Sequence, residues 1–194
     1  MPMSLENMLL AIPLAPLIGA IIAGLFGRQI GRAGAHTVTI LGVGAAFVLS
    51  VIMLKRFAID GAEPYNASVY TWLVSDGVKF EIGFLVDNLT ALMMTVVTFV
   101  SLMVHIYTIG YMADDDHNWP AHSKAGAASS YQRFFSYIAL FTFAMLMLVM
   151  SNNFLQLFFG WEAVGLVSYL LIGFWYTRPT AIYANLKAFL VNRV

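Results

Sequence analysis

The chain has 194 residues, of which 60% are hydrophobic and 10% charged, and its mean hydropathy is +0.80. A water-facing globular surface needs about 25% charged residues, so this composition excludes a soluble domain and predicts an all-α integral membrane protein. A formal net charge of +0 argues against nucleic-acid binding, and the lack of cysteine excludes disulfides and thiolate metal sites.

The first apolar run has no basic n-region and suits a retained span rather than a cleaved signal. Span one is predicted from Met8 to Phe26. Ala11, Ala15, Gly19, Ala23 and Gly27 recur every four residues, a stripe that lets a second helix approach closely. Packing within the same chain is favoured over a dimer interface. Pro13 and Pro16 are expected near the helix start, where proline is best tolerated, and Gly27 to Ala35 reads as a short polar turn with Arg28 and Arg32.

Span two, Val38 to Leu54, ends at Lys55-Arg56 and carries no charge, so its role is read as structural. The next connection, through Gly83, is longer than usual. Within it Tyr70–Val74 and Val78–Ile82 are β-prone runs around Ser75-Asp76-Gly77, which predicts a hairpin. Asn66-Ala67-Ser68 matches a glycosylation pattern that is common by chance.

Span three is predicted from Phe84 to Tyr111. Asp87 falls in its first turn, where a carboxylate suits the helix dipole, so capping and transport both stay open for it. His105 lies further along beside Tyr107 and Tyr111, and a hydrogen-bonded structural role is favoured over proton carriage. The polar connection that follows holds Asp114-Asp115-Asp116, His117 and His122. A solvated acidic loop is favoured there over a metal site, and no metal is expected. Span four, Phe134 to Val149, is entered through Arg133 and reads as core or lipid contact.

Span five, Asn153 to Tyr176, follows the tight turn Ser151-Asn152-Asn153. It is long enough, at about 1.5 Å per residue, to cross the roughly 30 Å hydrocarbon layer. In its middle sits Glu162. An ionisable group at that depth costs on the order of 3 kcal/mol and usually marks an ion or proton path. Pro179 suits the first turn of a sixth helix, Thr180 to Val194, which holds Lys187 and Arg193. Its fifteen or so residues reach only about 23 Å, so the sequence is expected to be part of a longer protein. Trp161, Trp175, Tyr107, Tyr111, Tyr131 and Tyr176 fall mainly near span ends, as interfacial belts do.

Arg28, Arg32, Lys124, Arg133 and Arg178 belong to the turns after spans one, three and five, and Lys55, Arg56 and Lys79 to the opposite side. The positive-inside rule predicts the first set in the cytoplasm or matrix, with the N-terminus and hairpin outside.

From the turn near Thr177, Glu162 is about 22 Å along one helix and Lys187 about 15 Å along the next. At similar depth, desolvation and mutual attraction act on the pair in opposite senses, as a proton relay requires. Tyr169, two turns beyond Glu162, is expected to lean back toward it. Arg193 stays charged; it can tune a neighbour's pKa but not relay protons by titrating, and its partner is expected outside this sequence. A static buried pair is the competing reading of Glu162, and it is disfavoured because such pairs stabilise poorly compared with apolar packing. No dinucleotide fingerprint, iron–sulfur ligand set or paired intramembrane histidine is present, so any electrons are expected to flow in other subunits.

Asn153-Phe154-Leu155-Gln156-Leu157-Phe158-Phe159-Gly160-Trp161-Glu162 and its continuation through Tyr176 closely resemble the fifth-helix signature of the subunit L, or chain 5, family of NADH:quinone oxidoreductase, respiratory complex I. Asp87–Met94, His105–Met112 and Lys187–Val194 resemble the same antiporter-like family in the same order. The resemblance implies a proton-pumping membrane-arm subunit, and the residues themselves predict about six transmembrane helices here with a short β-hairpin between helices 2 and 3. Residues 1–57 would hold helices 1–2, residues 58–83 the external loop, and residues 84–194 helices 3–6, the start of the proton-channel domain. It implies Glu162 as the key protonatable residue, with a partner lysine on a later, broken helix. It also implies other membrane-arm subunits and lipid as partners, NADH, FMN, iron–sulfur clusters and quinone bound by other subunits, and a bacterial inner or mitochondrial inner membrane. The alternatives are the large subunit of a multisubunit cation/proton antiporter and a purely structural membrane-arm subunit.

Overall fold

The computed structural model describes residues 4–119 and 129–193. Helix α1 spans Leu5–Leu25, capped by Ser4, whose Oγ accepts from the Asn7 N–H at 3.3 Å. This start, earlier than Met8, places Pro13 and Pro16 inside the helix, where both are buried. Helix α2 follows as Gly27–Leu54. The expected polar turn is a single helical turn that breaks at Gly31, whose φ of +68° is open to glycine at little cost. The small-residue stripe of α1 packs within the chain. A Cβ on Gly42 of α2 would lie 2.6 Å from the Ala15 carbonyl oxygen, and one on Gly19 3.2 Å from Thr39 Cα.

A π-helical turn, Lys55–Ile59, leads into strands β1, Tyr65–Ser75, and β2, Val78–Val86, paired antiparallel. They are longer than the β-prone runs. Asp76 and Gly77 both have positive φ, 47° and 86°, the backbone that a two-residue hairpin turn demands. Because β2 runs to Val86, helix α3 begins at Asn88 rather than Phe84 and ends at Tyr111. A 3₁₀ turn, Asp115–Asn118, follows; His122 and Lys124 lie outside the described residues. Helix α4 is Ser130–Val149, α5 Phe154–Ile172 and α6 Pro179–Val191, with proline opening the last as expected. Among the described residues, five helices, α1 to α5, are long and apolar enough to cross a membrane. The sixth, α6, has 13 residues.

Two cores hold the bundle. At the hairpin end, Leu9, Met53, Phe57, Phe84, Met94 and Met150 are buried together. The hairpin is tied to the α4–α5 turn by Leu85 N–H to Met150 O at 3.0 Å and a bridge from Phe84 to Ser151. Asn66 accepts there from Asn152 Nδ2 at 3.2 Å. At the opposite end, Met112, Trp119, Tyr131, Phe135 and Phe174 form the second core. There Arg32 Nη1 donates to Ala113 O at 2.9 Å and Arg178 Nη2 to Asn118 Oδ1 at 2.6 Å. The turns after α1, α3 and α5 thus meet at one basic end.

Candidate functional site

Helix α5 is aimed by its first turn. Asn153 caps it, Oδ1 accepting from the Gln156 N–H at 2.8 Å, while Asn153 Nδ2 donates to the Glu81 carbonyl at 3.1 Å. Gln156 Oε1 accepts from the buried Gly83 N–H at 2.9 Å. One turn on, Gly160 lets α4 approach so closely that a Cβ there would meet Leu148 Cα at 2.8 Å. One face of α5 is therefore locked to the hairpin and α4, and Phe154, Phe158 and Trp161 are left exposed.

Toward α6, α5 presents Glu162, Gly165, Tyr169 and Gly173. Arg193 Nη1 lies 2.5 Å from Glu162 Oε2, with the Glu162 side chain 28% exposed and Arg193 44%. The guanidinium also lies over Phe189, 4.4 Å from the ring centroid. This corrects the expectation that the partner of Arg193 falls outside the sequence. Glu162 meets Arg193, whereas Lys187 is exposed. Six residues of helix place Lys187 about 120° round the axis from Arg193. Tyr169 packs edge-on against Phe189 at 5.1 Å.

Asp87 is a cap: its Oδ1 accepts from the Thr90 N–H at 2.7 Å, and that backbone hydrogen bond holds the carboxyl below its usual range. His105 is fully buried and hydrogen-bonded. Its Nδ1 lies 2.8 Å from the Ser101 carbonyl, which can only accept, so Nδ1 carries the proton. Ser101 Oγ in turn meets Thr142 Oγ1 at 2.5 Å.

Among the described residues no three His, Asp or Glu side chains are placed to hold a metal. Asp115 is instead a buried hub, accepting from Trp119 Nε1 and Trp175 Nε1, each at 2.8 Å, and from Asn118 Nδ2 at 3.1 Å. Beside it the Arg133 guanidinium lies 5.3 Å from the Trp119 ring, 4.9 Å from Phe174 and 5.5 Å from Tyr176. Sequence reading also passed over Asn185 and Asn192. Their spacing of seven residues, two helical turns, in an apolar helix was the available signal.

Comparison with known proteins finds relatives along nearly the whole chain. Residues 72–135 match the family model described as NADH-ubiquinone oxidoreductase (complex I), chain 5 N-terminus, and residues 151–194 that of the NADH:quinone oxidoreductase/Mrp antiporter transmembrane region. The chain is 64% identical over 185 residues to NADH-quinone oxidoreductase subunit L of Neisseria meningitidis serogroup A, covering 95% of this chain and 26% of that protein. It is 47% identical to the Rhodobacter capsulatus subunit L, covering 93% of this chain and 24% of the relative, and 45% identical to chain 5 of Arabidopsis thaliana, covering 96% and 26%. The chain thus spans about a quarter of the length of these relatives. A solved archaeal respiratory membrane complex, the membrane-bound sulfane sulfur reductase, contains a chain of the same fold, with a TM-score of 0.66 at 18% identity, over 95% of this chain and 25% of that one. With five apolar spans and this identity along nearly its whole length, the chain is a multi-pass membrane polypeptide and belongs to the subunit L/chain 5 family of NADH:quinone oxidoreductase.

Proposed function

We propose that this chain forms part of a proton-translocating membrane-arm subunit of NADH:quinone oxidoreductase, with Glu162 as its proton-carrying group. The observation that supports this best is the Glu162–Arg193 pair in the middle of an otherwise apolar helix. A static pair there stabilises poorly compared with apolar packing, whereas intramembrane ionisable groups commonly mark proton paths. Arg193 remains charged throughout, so a proton arriving at Glu162 removes the charge that Arg193 pairs with. Protonation and separation of the pair are therefore coupled, which is how a charge change becomes a movement. Lys187, on another face of α6, serves the relay with groups other than Glu162. NADH, FMN, iron–sulfur clusters and quinone are bound by other subunits, and lipid and neighbouring membrane-arm subunits cover the exposed apolar faces. The bacterial inner membrane is the proposed location, given the 64% identity to a bacterial relative.

The test is Glu162→Gln in the full-length subunit, within the assembled complex in proteoliposomes. Proton translocation and coupled quinone reduction should fall strongly, and Glu162→Asp should retain part of both. Normal pumping by an intact Glu162→Gln complex overturns the proposal, and loosened assembly alongside it would favour a structural role. A cation/proton antiporter is the second reading, because the family description matched by residues 151–194 names both systems; sodium-dependent proton exchange without NADH would favour it.

A further inference from the structure

Arg133 stands in the first turn of α4, at the basic end, and no carboxylate pairs with it among the described residues. Three rings surround its guanidinium, whose carbon lies 5.3 Å from the centroid of Trp119, 4.9 Å from Phe174 and 5.5 Å from Tyr176. Rings stack on the faces of a guanidinium, whereas its N–H donors lie in the plane. One donor is left over: Arg133 Nη2 is buried and meets no acceptor among the described residues. Asn185 of α6 has the complementary lack, because its buried Oδ1 meets no donor among them. Gly173 lets Asn185 sit close against α5, since a Cβ there would collide with the amide.

Both residues line one cavity of about 230 Å³ between α4, α5 and α6, together with Tyr137, Tyr169 and Tyr176. Among the described residues its lining holds a cation and three phenols but no carboxylate. Leaving a buried donor or acceptor unmet is costly. Water would satisfy both groups, yet it leaves the positive charge unbalanced at the edge of an apolar bundle, where charge is expensive. An anion that also carries a hydroxyl meets the donor, the acceptor and the charge together. Basic pockets between membrane helices suit phospholipid headgroups for this reason. Beside Asn185, Ile182, Leu186 and Leu190 recur every four residues along one flank of α6. They are 51%, 55% and 56% exposed, an apolar track that leads away from the cavity along the helix.

We propose that this cavity binds the headgroup of a hydroxyl-bearing anionic phospholipid, of the phosphatidylglycerol kind, from the leaflet at the basic end. The phosphate accepts from Arg133 Nη2, a headgroup hydroxyl donates to Asn185 Oδ1, and an acyl chain lies along Ile182, Leu186 and Leu190. The phenol hydroxyls of the lining donate to the remaining phosphate oxygens. Phosphatidylcholine fits less well, because its headgroup has no net charge and no donor for Asn185. Inorganic phosphate presents the same oxygens as the lipid but nothing for the apolar track.

The experiment uses the full-length subunit in its assembled complex, in a background cleared of other accessible cysteines; this stretch contributes none. The complex is placed in nanodiscs of phosphatidylcholine doped with phosphatidylglycerol whose acyl chains are brominated. Bimane on Ile182→Cys reports the track, and bimane on Leu89→Cys, exposed at the start of α3, reports the bulk lipid. Quenching at position 182 should saturate at a low phosphatidylglycerol fraction, several-fold above that at position 89, where it should rise in proportion to the fraction. Arg133→Gln should make quenching at 182 proportional too, and Arg133→Lys, which keeps the charge, should restore part of the saturable component. Asn185→Leu leaves the rings around Arg133 in place and should weaken saturation several-fold, so it carries the test if Arg133→Gln fails to assemble. Proportional quenching at both positions in the parent overturns the proposal. So does saturation that brominated phosphatidylcholine reproduces or that both variants leave intact, since neither involves recognition of the headgroup. If bimane at 182 responds to inorganic phosphate and shows no saturable response to lipid, the cavity takes a free anion and the lipid assignment fails.

Discussion

Trp175 Nε1 donates a 2.8 Å hydrogen bond to Asp115 Oδ1 across sixty residues of chain, joining the exit of α3 to the turn between α5 and α6. Trp119 and Asn118 donate to the same carboxylate, so one side chain ties the loop that leaves α3 to the far end of the Glu162 helix. Burial pushes the Asp115 carboxyl up. The nearby Ser130 hydroxyl and the hydrogen bonds from Trp119, Trp175 and Asn118 push it down harder, and the balance lies below its usual value.

Replacing Asp115 by Asn keeps the shape but presents an NH₂ to one of two indole donors. The cost should be about 1–3 kcal/mol, read as a lower melting temperature in the full-length subunit by tryptophan fluorescence. The pH dependence has a definite sign. A depressed folded value means that the stabilisation is fully present above the unfolded pKa and is lost as pH falls through the folded one. Parent stability should therefore decline only on acidification below the ordinary carboxylate range, and the Asn variant should lack that component. An unchanged melting temperature in Asp115→Asn would remove the hub from the account.

Gly160 and Gly110 make a contrasting pair. A Cβ at Gly160 meets Leu148 backbone at 2.8 and 3.0 Å, whereas one at Gly110 meets nothing within 4 Å. Gly160→Ala should force α4 and α5 apart at a cost of about 1–3 kcal/mol and lower proton translocation by displacing Glu162. Gly110→Ala, in open space near the end of α3, should instead stabilise by about 0.4–1 kcal/mol. Equal melting temperatures for the two variants would contradict the close approach of α4 and α5.

Asp87 ends the hairpin and begins α3. Asn caps helices about as well as Asp, whereas Ala costs roughly 1 kcal/mol. Asp87→Asn should therefore pump almost normally and Asp87→Ala should lose stability first. Were Asp87→Asn to stop proton translocation in a stable, assembled complex, the carboxylate would be acting as more than a cap.

The Glu162–Arg193 pair should behave as a unit. Arg193→Gln should slow translocation, Arg193→Lys should restore part of it, and Glu162→Gln combined with Arg193→Gln should be no worse than Glu162→Gln alone, since residues in direct contact are not additive. Purely additive losses in pumping rate would show that the two side chains act separately.

Local signals in the chain are legible without coordinates. Apolar run length marked the five spans, Asp76-Gly77 marked the hairpin turn, and Asp87 and Pro179 marked helix starts, because each depends on only a few neighbouring residues. The lone carboxylate of α5 was equally plain, since a charge in an apolar run stands out whatever surrounds it. Partners were not legible. Rise per residue brought Lys187 near the depth of Glu162, but the rotation of α6 about its axis decides which cation arrives. That rotation is set by Asn185 on Gly173 and Phe189 against Tyr169. The Asp115 hub was hidden for the same reason: its donors come from its own loop and from sixty residues downstream, and no period in one dimension encodes their meeting. The sequence by itself determined which segments are long and apolar enough to cross a membrane and where the lone carboxylate of α5 sits, because both follow from local hydrophobicity. Only the tertiary structure decided that Arg193 faces Glu162 and that Asn185 faces Gly173, because both depend on how two helices turn toward each other when they pack.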